Sequence, residues 1–269
     1  MKIGSCLLLL ATPNDPLAAA SIPVVKRAGF DYAEVSLARV YDLSDQELDA
    51  YCSLFAANAL PVEVFNNAIP RGLALVGPNS DPKTLRDYVS RAIRLARRMG
   101  VSLITMSGPN QRTVPEGFSW ECGFEQYVSF LQMYADCAAQ EGISLAVEPI
   151  NQEEHGFIAT VSEACRAVHA AGCPNVKTIV DFYHFFKQND DWENLLKVCS
   201  DAIVHAHYAV QEGRVYPRME NLKECERVLV PFLNAGYHGR ISVEAYAPHP
   251  EEDLPDAVQV LRSICGAHI

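Results

Sequence analysis

Four short apolar runs in the second half of the chain each stop on a residue that can hold a proton or a cation. LAVE ends at Glu148, TIVD at Asp181, VHAH at His207 and ISVE at Glu244. Successive members stand roughly 30 residues apart, about one strand and one helix. Singly, each residue has an ordinary use. An acidic residue after a strand caps the next helix, and a histidine there satisfies a buried hydrogen bond. In succession, the tips of four neighbouring barrel strands converge at the barrel mouth. Three carboxylates packed there would repel one another and resist ionisation, and a bound divalent cation removes that cost. Three carboxylates with one imidazole suit Mn²⁺ first, with Mg²⁺ or Co²⁺ as alternatives, better than a thiolate-bound zinc. His205 lies two residues before His207 and faces the same side of the strand. It reads as support for a ligand rather than as a ligand itself.

The elements that must position these residues follow from the rest of the pattern. Eight apolar runs alternate with helical stretches: Ile3–Leu9, Tyr32–Leu37, Pro61–Phe65, Leu103–Ser107, Ser144–Glu148, Lys177–Asp181, Ala202–His207 and Arg240–Glu244. Several are nearly continuous in Val, Ile, Leu and Ala, as parallel strands covered on both faces require. Ser44 with Glu47 and Thr160 with Glu163 form capping-box patterns. Asp81-Pro82 reads as an N-cap followed by a first-turn proline, and Leu254-Pro255 is read the same way. Gly29, Gly100, Gly142, Gly172 and Gly236 stand just past helical stretches, where a left-handed residue is wanted. The pattern predicts one α/β domain over residues 1–269, a (β/α)₈ TIM barrel. The runner-up, an open doubly wound sheet, would carry a Gly-rich phosphate loop after its first strand, and G-x-G-x-x-G is absent. Two long connections, 66–81 and 108–124, would lie over the catalytic face.

Composition narrows the partners. With 22 basic and 33 acidic residues the net charge is −11, which argues against nucleic acid, whose phosphates demand a basic stripe. Nine cysteines without a C-x-x-C pair read as reduced thiols of a cytoplasmic protein. The N-terminal MKIGSCLLLLATP has too short an apolar run for a secretory signal and reads as a first buried strand. No apolar stretch approaches the roughly 20 residues a spanning helix needs, so no membrane partner is expected.

At the four strand tips the chain resembles the xylose-isomerase-like superfamily of sugar isomerases and epimerases. The resemblance is greatest to ketose 3-epimerases of the tagatose/psicose type and to hydroxypyruvate isomerase. It spans nearly the whole chain and is densest from Gly108 to Glu244. The epimerase pattern E-x-x-N-x-x-E is present as Glu148, Asn151 and Glu154, and D-x-x-H as Asp181 and His184. An H-x-H strand supplies His207, Arg214 follows in QEGRVYP, and Glu244 stands in a V-E-x-Y context. The segment VEPINQEEHGF is similar to the E-P-x-N and P-G-F-F pattern of hydroxypyruvate isomerase. His155 replaces a proline of that pattern, and His207 stands where that family usually has a glutamine.

The resemblance implies a small-molecule sugar substrate and metal ligation by Glu148, Asp181, His207 and Glu244. It makes Glu148 and Glu244 the catalytic pair, with Glu154, His184 and Arg214 binding substrate. A divalent cation on a carbonyl and an adjacent hydroxyl acidifies the C–H beside them and stabilises the resulting enediolate. Two glutamates on opposite faces could then invert one carbon, and 3-epimerisation of a ketose is the leading expectation. Arg112, Glu34 and Asn66 are lesser candidates for the same mouth. Phe182, Tyr183, Phe185 and Phe186 read as core or mouth walls.

Other outcomes share the first step. A metal-dependent lyase acting on 3-oxo-glycosides, often with a partner subunit, begins with the same proton abstraction, as does aldose–ketose isomerisation of the hydroxypyruvate isomerase type. An endonuclease of this fold would want more histidine ligands and a basic face. A barrel that binds without turnover would have little use for Glu154 and His184. Relatives of this kind are often homo-oligomers.

Overall fold

The structure, a computed structural model, describes residues 1–154 and 157–266. Its eight strands are β1 (Ile3–Cys6), β2 (Tyr32–Ser36), β3 (Val62–Asn66), β4 (Leu103–Met106), β5 (Ser144–Val147), β6 (Val176–Asp181), β7 (Ile203–Tyr208) and β8 (Arg240–Val243). All pair in parallel with their sequence neighbours, and β1 also pairs with β8, closing a barrel in strand order 1 to 8. The doubly wound alternative is thereby excluded. Because side chains alternate along a strand, Ala146 shares a face with Glu148, Ile179 with Asp181, His205 with His207 and Ser242 with Glu244. Tyr32, Val64, Leu103, Ala146 and Ile179 form an apolar cluster of their own, distinct from the larger core between strands and helices. Beneath the polar tips, Ala146 and Ile179 are apolar, while His205 and Ser242 are buried polar residues.

Gly4 makes room for that apolar cluster. A Cβ at this position would lie 2.2 Å from the Tyr32 ring, whose hydroxyl crosses to Ser242 Oγ at 2.8 Å. Helices begin where the sequence places caps. Both capping boxes form, at Ser44/Glu47 and Thr160/Glu163. Asp81 accepts from the backbone of Lys83 and Thr84, with Pro82 in the first turn. Gly29, Gly100 and Gly172 are the C-terminal caps of their helices, all with positive φ. Gly142 and Gly236 also have positive φ, a few residues past a helix end.

Two local expectations are corrected. Leu254-Pro255 does not open a helix, because the last helix begins at Pro250 and runs to Gly266 with Pro255 inside it. The start is instead tied by Asp253, whose carboxylate accepts from the His249 backbone N–H at 2.8 Å. β1 ends at Cys6 rather than Leu9, and the backbone after it turns. The connections after β3 and β4 contain no strand; turns and bends fill the first, and the second holds a short helical turn at Pro109–Gln111. Among the described residues, no helix is long and apolar enough to cross a membrane.

Candidate active site

The four strand tips meet. Glu148, Asp181, His207 and Glu244 each offer a ligand atom, and these atoms all lie within 4.8 Å of one another. All four side chains are buried. From His207 Nδ1 the distances are 3.5 Å to Glu148 Oε1, 3.8 Å to Asp181 Oδ2 and 3.8 Å to Glu244 Oε2. Strand register explains the convergence. Asp181 pairs directly with His207, and Glu244 follows β8 with its N–H bonded to the Tyr208 carbonyl.

Asp181 satisfies both readings of an acidic strand end. Its Oδ1 accepts from the backbone N–H groups of Tyr183 (2.7 Å) and His184 (3.3 Å), capping the helix Phe182–Gln188. Its Oδ2 faces the cluster. Burial alone would raise the Asp181 carboxyl, but His184, His207 and Arg214 hold it well below the usual carboxylate range. Glu244 goes the other way. Burial raises it, Arg214 and His207 pull it down, and repulsion from Asp181 and Glu148 leaves it above its ordinary value.

Arg214 is the cation of the site. Its Nη2 bonds Glu244 Oε2 and lies 3.3 Å from Asp181 Oδ2, while its guanidinium stacks over the Tyr183 ring at 4.4 Å. The turn that presents it is unusual, with φ of +74° at Gly213 and +49° at Arg214. A non-glycine residue there is strained, and backbone bonds between Arg214, Tyr216 and Tyr246 hold it. On the other side, Asn151 bonds His184 Nδ1 (2.6 Å) and Glu154 Oε1 (3.3 Å). Glu154 lies 3.8 Å from His184 and is partly exposed. His155, named above as a departure, lies outside the described residues.

Residues of lower rank in the sequence prove informative. Glu34, on β2, is fully buried, its Oε1 2.9 Å from His207 Nε2 and its Oε2 3.0 Å from His205 Nε2. Burial would raise Glu34, but His207 and His205 hold it well below the ordinary range. His205 thus gives its Nε2 to Glu34 and packs edge to face on His207. Asn66 Nδ2 donates to Glu244 Oε1 at 3.0 Å and also contacts Cys6 Sγ. Arg112 does not line the mouth. It is buried, and its guanidinium bonds the carbonyls of Met106, Glu148 and Ile158, strapping β4 to the segment after β5. Phe182 and Phe185 are core, as expected, while Tyr183 forms part of the mouth.

The donor set fits a divalent cation. His207 Nδ1 and Glu148 Oε2 are buried with no hydrogen-bond partner, and two such orphans at the centre of an acidic cluster are what a missing ligand bond leaves. The model of the xylose isomerase-like TIM barrel family matches residues 22–264. The chain belongs to that family. Over 248 residues it is 23% identical to a probable ketose 3-epimerase of Synechocystis, covering 90% of this chain and 83% of that protein. A D-psicose 3-epimerase of Agrobacterium fabrum is 24% identical over 210 residues, 72% of this chain and 68% of the relative. The solved structure of a D-psicose 3-epimerase in the presence of D-fructose superposes with a TM-score of 0.81 at 18% identity, over 99% of this chain and 100% of that one. At that identity the likeness speaks for the fold of a xylose isomerase-like barrel.

Proposed function

We propose that this chain is a divalent-metal-dependent sugar isomerase or epimerase whose reaction is 3-epimerisation of a ketose. The observation that carries the reading is the buried meeting of Glu148, Asp181, His207 and Glu244 around two unpartnered atoms, in a chain whose curated relatives are named as ketose epimerases. These four residues would hold the cation, Mn²⁺ first and Mg²⁺ or Co²⁺ next, and when bound it supplies Lewis-acid polarisation that acidifies the carbon beside a carbonyl.

The protein's own groups move the proton. One of Glu148 and Glu244 removes it from carbon 3, and the electron pair left behind delocalises into the carbonyl at carbon 2. The other glutamate delivers a proton to the opposite face, so carbon 3 is inverted and nothing is gained or lost. In the metal-free protein burial holds the Glu244 carboxyl above its ordinary value, and a bound cation would pull it back down. Glu154 and His184 bind the carbonyl end of the sugar, and Arg214 holds one of its oxygens. Residues 1–269 act in this reading as one cytoplasmic domain on a small sugar, without nucleic acid or membrane, and we expect a homo-oligomer.

The test is hydrogen exchange. Mn²⁺-loaded protein is incubated in D₂O with a panel of ketoses, and deuterium is expected at carbon 3 of one of them. Glu244→Gln should abolish that exchange with an unchanged circular dichroism spectrum. Deuterium at carbon 1 would replace the epimerase by an aldose–ketose isomerase. Full exchange in Glu244→Gln would remove that residue's role.

A further inference from the structure

The buried carboxylate of Glu34 has no part in the chemistry above, yet it reaches across the barrel interior from β2 to β7. Its two oxygens divide between two histidines, Oε1 to His207 Nε2 at 2.9 Å and Oε2 to His205 Nε2 at 3.0 Å. All three side chains are fully buried. The two imidazoles stand edge to face, with centroids 4.9 Å apart and planes at 88°. One carboxylate thereby receives two rings from two directions.

We infer that Glu34 is a positioning residue for the metal centre, fixing His207 so that Nδ1 carries the lone pair that meets the cation. A single carboxyl has at most one hydrogen to give, and two imidazole nitrogens stand within hydrogen-bond distance of its two oxygens. The arrangement in which both nitrogens donate satisfies both contacts, so we place the hydrogen on the nitrogen that faces Glu34. With Nε2 donating to Glu34, a neutral His207 is left with its free lone pair on Nδ1. That atom is the one lying 3.5–3.8 Å from the three carboxylates, buried and without a hydrogen-bond partner. His205 holds the second Glu34 oxygen and so prevents the carboxylate from turning away. Outer carboxylates of this kind fix the orientation and raise the basicity of a histidine ligand, and their loss typically lowers metal affinity 10- to 100-fold.

The inference rests on the metal-centre reading, and the measurements separate the two. Mn²⁺ affinity is measured by calorimetry for the wild type, Glu34→Gln and His205→Leu, along with melting temperature with and without Mn²⁺. A glutamine keeps one acceptor for two histidines and loses the charge. Affinity is expected to fall about 10- to 100-fold in Glu34→Gln, and the rise in melting temperature on adding Mn²⁺ should shrink. A purely structural Glu34 would lower the melting temperature equally with and without Mn²⁺, and that result overturns the inference. A folded Glu34→Gln with wild-type Mn²⁺ affinity overturns it as well. Wild type that takes up no Mn²⁺ overturns the metal-centre reading itself. Should neither variant fold, wild-type protein carrying ¹⁵N-labelled histidine and loaded with Mg²⁺ decides the matter. Long-range ¹H–¹⁵N spectra should show His207 protonated at Nε2, and protonation at Nδ1 would refute the assignment.

Discussion

At the scale of single residues, the two oxygens of a carboxylate in this site are not equivalent. Asp181 gives one to a helix cap and one to the cluster. Glu244 presents Oε2 to Arg214 and Oε1 to Asn66. Asn66 therefore shares with Arg214 and Cys6 the orienting of Glu244, and Asn66→Ala should lower kcat roughly tenfold, about 1.4 kcal/mol, with little change in KM or melting temperature. Steady-state kinetics check this, and an unchanged kcat would show that Arg214 and Cys6 suffice. The four tips were legible in the sequence because four successive apolar runs each end on a polar residue, a succession with few other uses although each residue alone has an ordinary one. It did not reveal that Glu34 belongs under His207. Glu34 interrupts the run YAEVSL, and a charge inside a buried strand is itself a signal that it has a partner. Which partner depends on register around the ring, and no local pattern encodes that. Asn66 is among the sequence candidates for the mouth, but its contact with Glu244 was hidden for the same reason, as was that of Cys6.

Elements were easier to read than their junctions. Caps at Ser44, Asp81 and Thr160 rely on contacts within a few residues, so they could be predicted and they form. Thr160→Ala should cost about 1 kcal/mol in urea unfolding, and no loss would mean that Glu163 carries the cap by itself. Pro255 misled because a proline tolerated inside a helix looks like one that starts it. The reading of Arg112 as a mouth residue failed for a different reason. Its loop folds back, so that the guanidinium serves three backbone carbonyls instead of solvent or substrate. Arg112→Met takes this donor from the Met106 and Glu148 carbonyls, while Ile158 keeps the Ile150 N–H, and the expected loss is about 3 kcal/mol. Denaturant titration reads it directly, and a change under 1 kcal/mol would mean that water takes the place of the guanidinium.

On the scale of the whole molecule, the proposed metal centre would couple stability to metal and to pH. Burial pushes the His207 imidazole down, but Glu34 and Glu244 push it up further, well above its ordinary value. In metal-free protein its contribution to stability is fully present below the ordinary histidine pKa and is lost as pH rises through the raised one. A cation must displace that proton, so apparent Mn²⁺ affinity should rise with pH. The gain in melting temperature on adding Mn²⁺ should then be larger at about pH 9 than at about pH 6. An equal gain at both would mean that His207 is already neutral without metal.

The bond between the first strand and the last carries one more consequence. β1 has no partner on one side until Ile241, Ser242 and Val243 arrive to pair with it, and Glu244 comes directly after them. During synthesis Ile3 to Cys6 must therefore wait, half paired, until β8 has left the ribosome. A nascent chain halted before Arg240 would hold three of the four clustered side chains without Glu244, so under the proposed metal-centre reading a cation would load only once the ring has closed.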